Sequence, residues 1–163
     1  MRGPLSLLLL LGALLGTGCA SGGVGAASEL SADDTEGVLE AVYRYQFAQD
    51  ARTDTGVFCL CAPADSREGG DPSAAFLQRF AAEPRPVLAC SACSVEEGRV
   101  IEKKSGRTAL TFYVTSIRPL LSKDVEVEGG TRAGRFSSTR LRYRVVRQGS
   151  AWAVTDALGR QVP

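Results

Sequence analysis

The chain has 163 residues, 44% of them hydrophobic and 23% charged, proportions ordinary for a globular protein. Nineteen Lys and Arg against eighteen Asp and Glu leave a formal charge of +1, and there is no histidine. The lack of histidine excludes Ser-His and Cys-His nucleophile pairs, histidine metal sites and the commonest acid–base group at neutral pH.

The first element in chain order is an apolar run, Leu5 to Leu15, behind the single positive charge of Arg2. It is too short to span a bilayer, which takes about 20 residues, and fits the core of a secretory signal. Gly16, Thr17 and Gly18 then place small residues before Cys19. The stretch "LLGTGCASGG" resembles a bacterial lipobox, although Gly16 stands where that family usually has a large aliphatic residue. The resemblance implies a signal peptide over residues 1–18, cut before a cysteine whose acyl chains hold the protein on the membrane. Ala20, rather than aspartate, follows the cysteine, which in that family implies the periplasmic face of the outer membrane of a Gram-negative cell envelope. The alternative is an ordinary signal peptide cut after Ala20 or later, with Cys19 discarded. Ala20 to Ser28 is small, uncharged and glycine-rich and suits a tether. The expected organisation is therefore a lipidated cysteine and tether over 19–33 and one domain over 34–163.

"DDTEGVLEAVYRYQFAQD" predicts a helix over 34–50. Asp33, Asp34 or Thr35 offers a cap, and Val38, Leu39, Val42, Tyr43, Tyr45 and Phe47 form an apolar arc. "TGVFCLCAP" reads as a short strand stopped by Pro63, and residues 64–71 as a loop. "DPSAAFLQRFAAEP" predicts a second helix capped by Asp71 and ended by Pro84. Beyond Pro86 the pattern turns extended through "PVLACSACSV", "RTALTFYVTSIRPLL", "KDVEVEGG", "STRLRYRVVRQG" and "AWAVTDAL". Ser105-Gly106, Gly129-Gly130 and Gly149-Ser150 stand as turn signals. "GGTRAGRF" and "KKSGRT" lack the ending of a phosphate-binding loop.

The helix "VLEAVYRYQF", the strand "VFCLCA", the helix "DPSAAFLQRF" and the late "VEVEGG…YRVVRQGSAWAV" together resemble nuclear transport factor two-like proteins, including SnoaL-like domains. That resemblance implies an α+β fold in which a curved antiparallel sheet wraps N-terminal helices into a cone-shaped, cystatin-like roll. Proteins of that family include small enzymes and plain binding domains, so the fold names no activity. Enzymes on it place Asp, His or Tyr in the cone; the candidates here are Asp156, Tyr113 and Tyr45, with Asp50, Asp54 and Tyr43 behind them. No cofactor is expected.

Four cysteines follow Cys19, in "CLC" (Cys59, Cys61) and "CSAC" (Cys90, Cys93). Four thiolates suit zinc, and a C-x-x-C pair suits redox chemistry, but an exported chain favours disulfides. Two sulfurs on one face of a strand do not readily bridge each other, so both reach the second segment. The bridges are then Cys59–Cys93 with Cys61–Cys90, or Cys59–Cys90 with Cys61–Cys93; antiparallel segments would give the first.

Charge is uneven. Cys19 to Glu102 holds six Arg, no Lys and fourteen acids; Lys103 to Pro163 holds twelve basic residues and four acids. Either the two halves attract one another or one face binds a partner. Arg140, Arg142 and Arg144 alternate with apolar residues, as in a solvated strand face that discourages edge pairing or as an anion-binding stripe. The leading functional expectation is a non-enzymatic binding or structural module in the envelope, its partner a small apolar ligand or an envelope protein and not nucleic acid. The alternative is a small isomerase-, dehydratase- or hydrolase-like enzyme using a carboxylate inside the cone.

Overall fold

The computed structural model describes residues 29–52, 54–63, 69–121 and 123–160. The signal, Cys19 and the tether up to residue 28 expected from the sequence lie outside the described residues. Helix α1, Ala32–Gln49, starts where Ser31 caps it: the Ser31 hydroxyl accepts from the Asp34 N–H at 3.1 Å. Asp33 and Asp34 therefore occupy the first turn, where the helix dipole favours carboxylates, instead of the cap itself. Strand β1 is Val57–Cys61, helix α2 Ala74–Gln78 and strand β2 Val87–Ala89. A 3₁₀ turn, Cys90–Ala92, leads into β3, Cys93–Glu96, and β4, Arg99–Glu102. The long strands β5, Ala109–Leu121, β6, Asp124–Arg132, β7, Ser138–Gln148, and β8, Ala151–Arg160, complete the chain.

Six strands make one sheet in the order β2-β1-β5-β6-β7-β8, and β3 pairs with β4 in a small sheet of its own. The expected curved antiparallel sheet around N-terminal helices is not the fold. The large sheet is mixed, because β1 runs parallel to both β2 and β5. Among the described residues, only α1 precedes the first strand; α2 is five residues long and follows it. The physical reason lies in "VFCLC", whose five residues are all buried. A strand buried on both faces reads as a continuous apolar run, the mark of parallel neighbours, and not as the alternation of an antiparallel sheet with one wet face.

Helix α2 is shorter than the sequence reading because its cap is Ser73, whose hydroxyl accepts from the Phe76 N–H at 3.0 Å, and the chain passes into turns after Gln78. The Gly129-Gly130 pair, expected in a turn, sits inside β6 opposite Val114 and Tyr113. A Cβ on Gly129 would lie 2.4 Å from the Tyr113 carbonyl oxygen, so the close approach of β5, beside its irregularity between Val114 and Ser116, requires glycine. Ser105-Gly106 and Gly149-Ser150 do lie in turns, with Gly106 and Gly149 at positive φ.

Alternation along the strands divides the interior. Phe58 and Leu60 join Leu110, Phe112, Val125, Val127, Tyr143 and Val145 beneath α1 and α2. Phe47 of α1 stacks on Phe58 at 4.8 Å between ring centres and meets Phe112 edge-on at 4.9 Å. On the opposite face Val57 and Cys59 pack with Val100 and Ala109. The closing strand reaches α1 through Trp152, whose indole N–H donates to Asp34 at 3.3 Å and whose ring leaves no room for a side chain at Gly37.

The cysteines form two disulfides, Cys59–Cys93 and Cys61–Cys90. This is the nested pairing, reached by a route other than the antiparallel one. Strand β2 lies parallel to β1 with Leu60 opposite Ala89, so the next residues, Cys61 and Cys90, meet at a Cα separation of 4.6 Å. The 3₁₀ turn then brings Cys93 back to Cys59. With all four sulfurs bonded in pairs, neither a four-thiolate zinc site nor a reactive C-x-x-C pair within "CSAC" is formed.

The bridges close segments of 34 and 29 residues, and the chain-entropy model gives each a stabilisation of about 3–4 kcal/mol. Replacing Cys59 and Cys93 together by alanine is expected to lower the unfolding free energy by about that amount, measured by urea denaturation, with a further fall in the melting temperature on reduction of Cys61–Cys90.

Candidate functional site

The face of the large sheet turned away from α1 carries a cleft of about 1040 Å³. Its floor is made by β5 and its neighbours, because residues that alternate with buried Phe112 point outward: Thr111 and Tyr113. Its wall is the disulfide-bonded 3₁₀ turn with β3 and β4, which contributes Ser91, Ser94 and Lys103. Arg132 of β6 stands opposite Thr111, and Arg140 of β7 stands opposite Gly130, which in turn faces Tyr113. Tyr113, Gly130 and Arg140 thus form one row across three strands.

The Tyr113 hydroxyl passes over the bare Gly130 and donates to the Thr139 carbonyl at 2.8 Å. Burial raises the pKa of this hydroxyl, while the positive charges of Arg140 and Arg132 pull it down. Asp71 is the carboxylate at this cleft. It accepts from the Ser91 hydroxyl at 2.6 Å and the Ser91 N–H at 2.7 Å, and these bonds, with the charge of Lys103, hold its carboxyl below the usual range.

The arginine stripe divides. Strand β7 is internal, so the stripe guards no sheet edge. Arg142 lies 3.2 Å from Glu128 and 3.7 Å from Glu126, and Arg144 forks onto Asp124. Arg140, like Arg132 and Lys103, has no carboxylate at ion-pair distance among the described residues. Nor do the acidic and basic halves chiefly neutralise each other. Among the described residues, Arg107–Glu102 and Arg147–Asp34 join them, while the other pairs stay within one half: Arg44, Arg52, Arg79 and Arg85 in the first, Arg118, Arg142 and Arg144 in the second.

A second pocket of about 430 Å³ opens on the helix side, between the end of α1 and the sheet, beside Tyr45, Gln46, Leu110, Leu141 and Tyr143. Gln46 is buried; its amide donates to the Tyr143 hydroxyl at 2.9 Å and the Gly130 carbonyl at 3.3 Å, and its Oε1 has no hydrogen-bond partner among the described residues. Burial pushes the Tyr143 hydroxyl up to about 12.

The candidate catalytic side chains do not meet. Asp156 is exposed on β8 opposite Arg144, three strands from Tyr113, and Tyr45 is on the helix side, edge-on to Tyr143 at 5.9 Å. Asp50 is held by Arg85 at 2.7 Å and Arg52 at 3.3 Å, Asp54 is exposed, and Tyr43 donates to the Cys61 carbonyl at 2.9 Å. Burial drives the Tyr43 hydroxyl far above its ordinary range. Sequence reasoning named Tyr113 and Arg140 for separate roles and missed that Gly130 joins them. It also missed the contribution of Lys103; the surplus of basic residues after Glu102 was the available signal.

Comparison of the chain with family models, curated proteins and solved structures finds no match.

Gly130→Ala is expected to destabilise the fold by about 1–3 kcal/mol, since the new Cβ would lie 1.9 Å from the Thr139 carbonyl oxygen and 2.8 Å from the Tyr113 hydroxyl. Arg142→Gln, on an exposed side chain, is expected to change stability by less than about 0.5 kcal/mol. Thermal melts of the two variants beside the parent chain check both.

Proposed function

We propose that the chain is an exported envelope protein, anchored by acyl chains on Cys19, whose domain is a non-enzymatic binding module. The observation that carries the binding reading is the outer-face cleft, a concave site in which Arg132, Arg140 and Lys103 are left without carboxylate partners among the described residues. Two disulfides support export, because such bonds persist in oxidising compartments. The anchor rests on the lipobox-like sequence around Cys19, and with it the periplasmic face of the outer membrane. A second binding mode, for a small apolar ligand with one hydrogen-bond donor, is favoured by the helix-side pocket, where Gln46 offers an unpartnered acceptor among aromatic and aliphatic side chains.

Cys19→Ser removes the thiol that acylation requires. In detergent phase partition of the full chain expressed in a Gram-negative cell, the parent is expected in the detergent phase and the variant in the aqueous phase or as uncleaved precursor. A parent chain in the aqueous phase would overturn the anchor and leave the cleft to be judged separately.

A further inference from the structure

We infer that Arg132 and Arg140, converging on Tyr113 in the outer-face cleft, bind the phosphate monoester group of a ligand larger than phosphate itself, with Lys103 completing the positive lining. This deepens the binding reading above and does not depend on the anchor.

Three observations carry it. The first is that the arginines lining the cleft, unlike their neighbours along the stripe, have no carboxylate partner among the described residues. Arg142 and Arg144, neighbours of Arg140 on β7, are both engaged by carboxylates of β6, and Arg118 is engaged by Glu126. Arg132 and Arg140, the two that reach the cleft, are not. Second, the two guanidinium groups come from adjacent strands and face one tyrosine hydroxyl. Gly130, which lies between Tyr113 and Arg140 in the register, carries no side chain to separate those two. Planar guanidinium forks carried by neighbouring strands suit the bidentate recognition of a tetrahedral oxyanion, for which arginine is favoured over lysine. The Tyr113 hydroxyl already donates to the Thr139 carbonyl, which holds the ring as a spacer at the floor.

The third observation is charge balance. Among the described residues, three cations line the cleft against one carboxylate, Asp71, which Ser91 already holds by two hydrogen bonds. The surplus of two positive charges matches a phosphate monoester, which carries about −1.5 to −2 at neutral pH. The cleft, at about 1040 Å³, exceeds a single anion many times over and matches the upper end of the sizes of sites that hold an organic ligand. Val95 and Val100 give that remainder an apolar side. The phosphate monoester could be carried by a soluble metabolite or by a lipid headgroup; both present the same group to the arginines.

The experiment uses the full chain in neutral detergent micelles, titrated calorimetrically with inorganic phosphate and with glycerol phosphate. Binding of glycerol phosphate is expected, tighter than that of inorganic phosphate. Arg132→Gln with Arg140→Gln is expected to weaken it at least about tenfold, the loss of two charge-assisted contacts. Arg142→Gln, whose guanidinium already rests on Glu126 and Glu128, is expected to change it less than about twofold. Both variants change exposed side chains, so their melting temperatures are expected near that of the parent. Should the double variant unfold, the single variants read the same loss in smaller steps. Micelles doped with phosphatidic acid separate the sources: competition with glycerol phosphate assigns a lipid headgroup, and its absence assigns a soluble ligand. No binding by the parent chain, or equal loss in the Arg142 variant and the double variant, would overturn the inference. The partition behaviour of Cys19→Ser is unaffected by either outcome.

Discussion

Burying five consecutive residues on both sides of a sheet requires a cover on each side, and strand β1 sets that requirement for the whole domain. Phe58 and Leu60 need α1 and α2; Val57 and Cys59 need β4 and the turn at Cys90. The apolar helix face satisfies the first demand through the stack of Phe47 on Phe58 and the contacts of Phe80 and Phe112 around it. A four-residue strand and a 3₁₀ turn offer far less apolar area for the second, and the two disulfides supply the hold that area does not. Even the backbone of the strand's last residue is tied across the interior: the Tyr43 hydroxyl donates to the Cys61 carbonyl.

Much of this was legible in the sequence and part was not, for reasons that can be named. The apolar arc of α1 and the alternation of β7 and β8 follow from periodicity, and the structure places them as read. Disulfides followed from the even count of four cysteines after Cys19 in a chain with a signal-like start. The parallel setting of β1 was not recovered, although its five-residue apolar run carried the signal, because order along the chain suggested hairpins. Gly129-Gly130 misled because paired glycines mark turns and close backbone approaches alike, and local sequence does not separate the two. Which surface each arginine shares with which carboxylate is a property of the register with the neighbouring strand, and periodicity holds no information on it.

The ion pairs show how local the electrostatics are. Arg44 and Arg79 tie α1 to the turns after α2 through Glu36, Glu40 and Glu83, and Arg142 and Arg144 lie across from carboxylates of the neighbouring strand. On exposed surfaces such pairs contribute about 0–1 kcal/mol each, so they place side chains more than they stabilise the fold. Their effect on function is larger than their effect on stability. By occupying the acids of β6 on one stretch of the sheet, Arg118, Arg142 and Arg144 leave the positive potential of the basic half concentrated where β6 and β7 run toward Arg132 and Arg140.

The covalent staples and this charged cleft belong to one design. Cys90 and Cys93 flank the turn that carries Ser91, and Lys103 donates its backbone N–H to Ala92 within the same turn at 2.9 Å. Asp71, arriving from the other side, is fastened to Ser91. The wall is thus fixed to β1 by sulfur bridges, and the floor is a set of hydrogen-bonded strands. Neither has to be ordered when a ligand arrives, which removes a cost that loop-built sites carry. The arginines themselves remain exposed, so each keeps its hydration until an anion displaces it, and the net gain per contact stays modest. Discrimination in such a site comes less from the strength of any one contact than from the register that sets two arginines on adjacent strands beside a glycine. A ligand whose oxygens reach both engages them at once, whereas one carrying a single lone charge engages either and gains little over bulk salt.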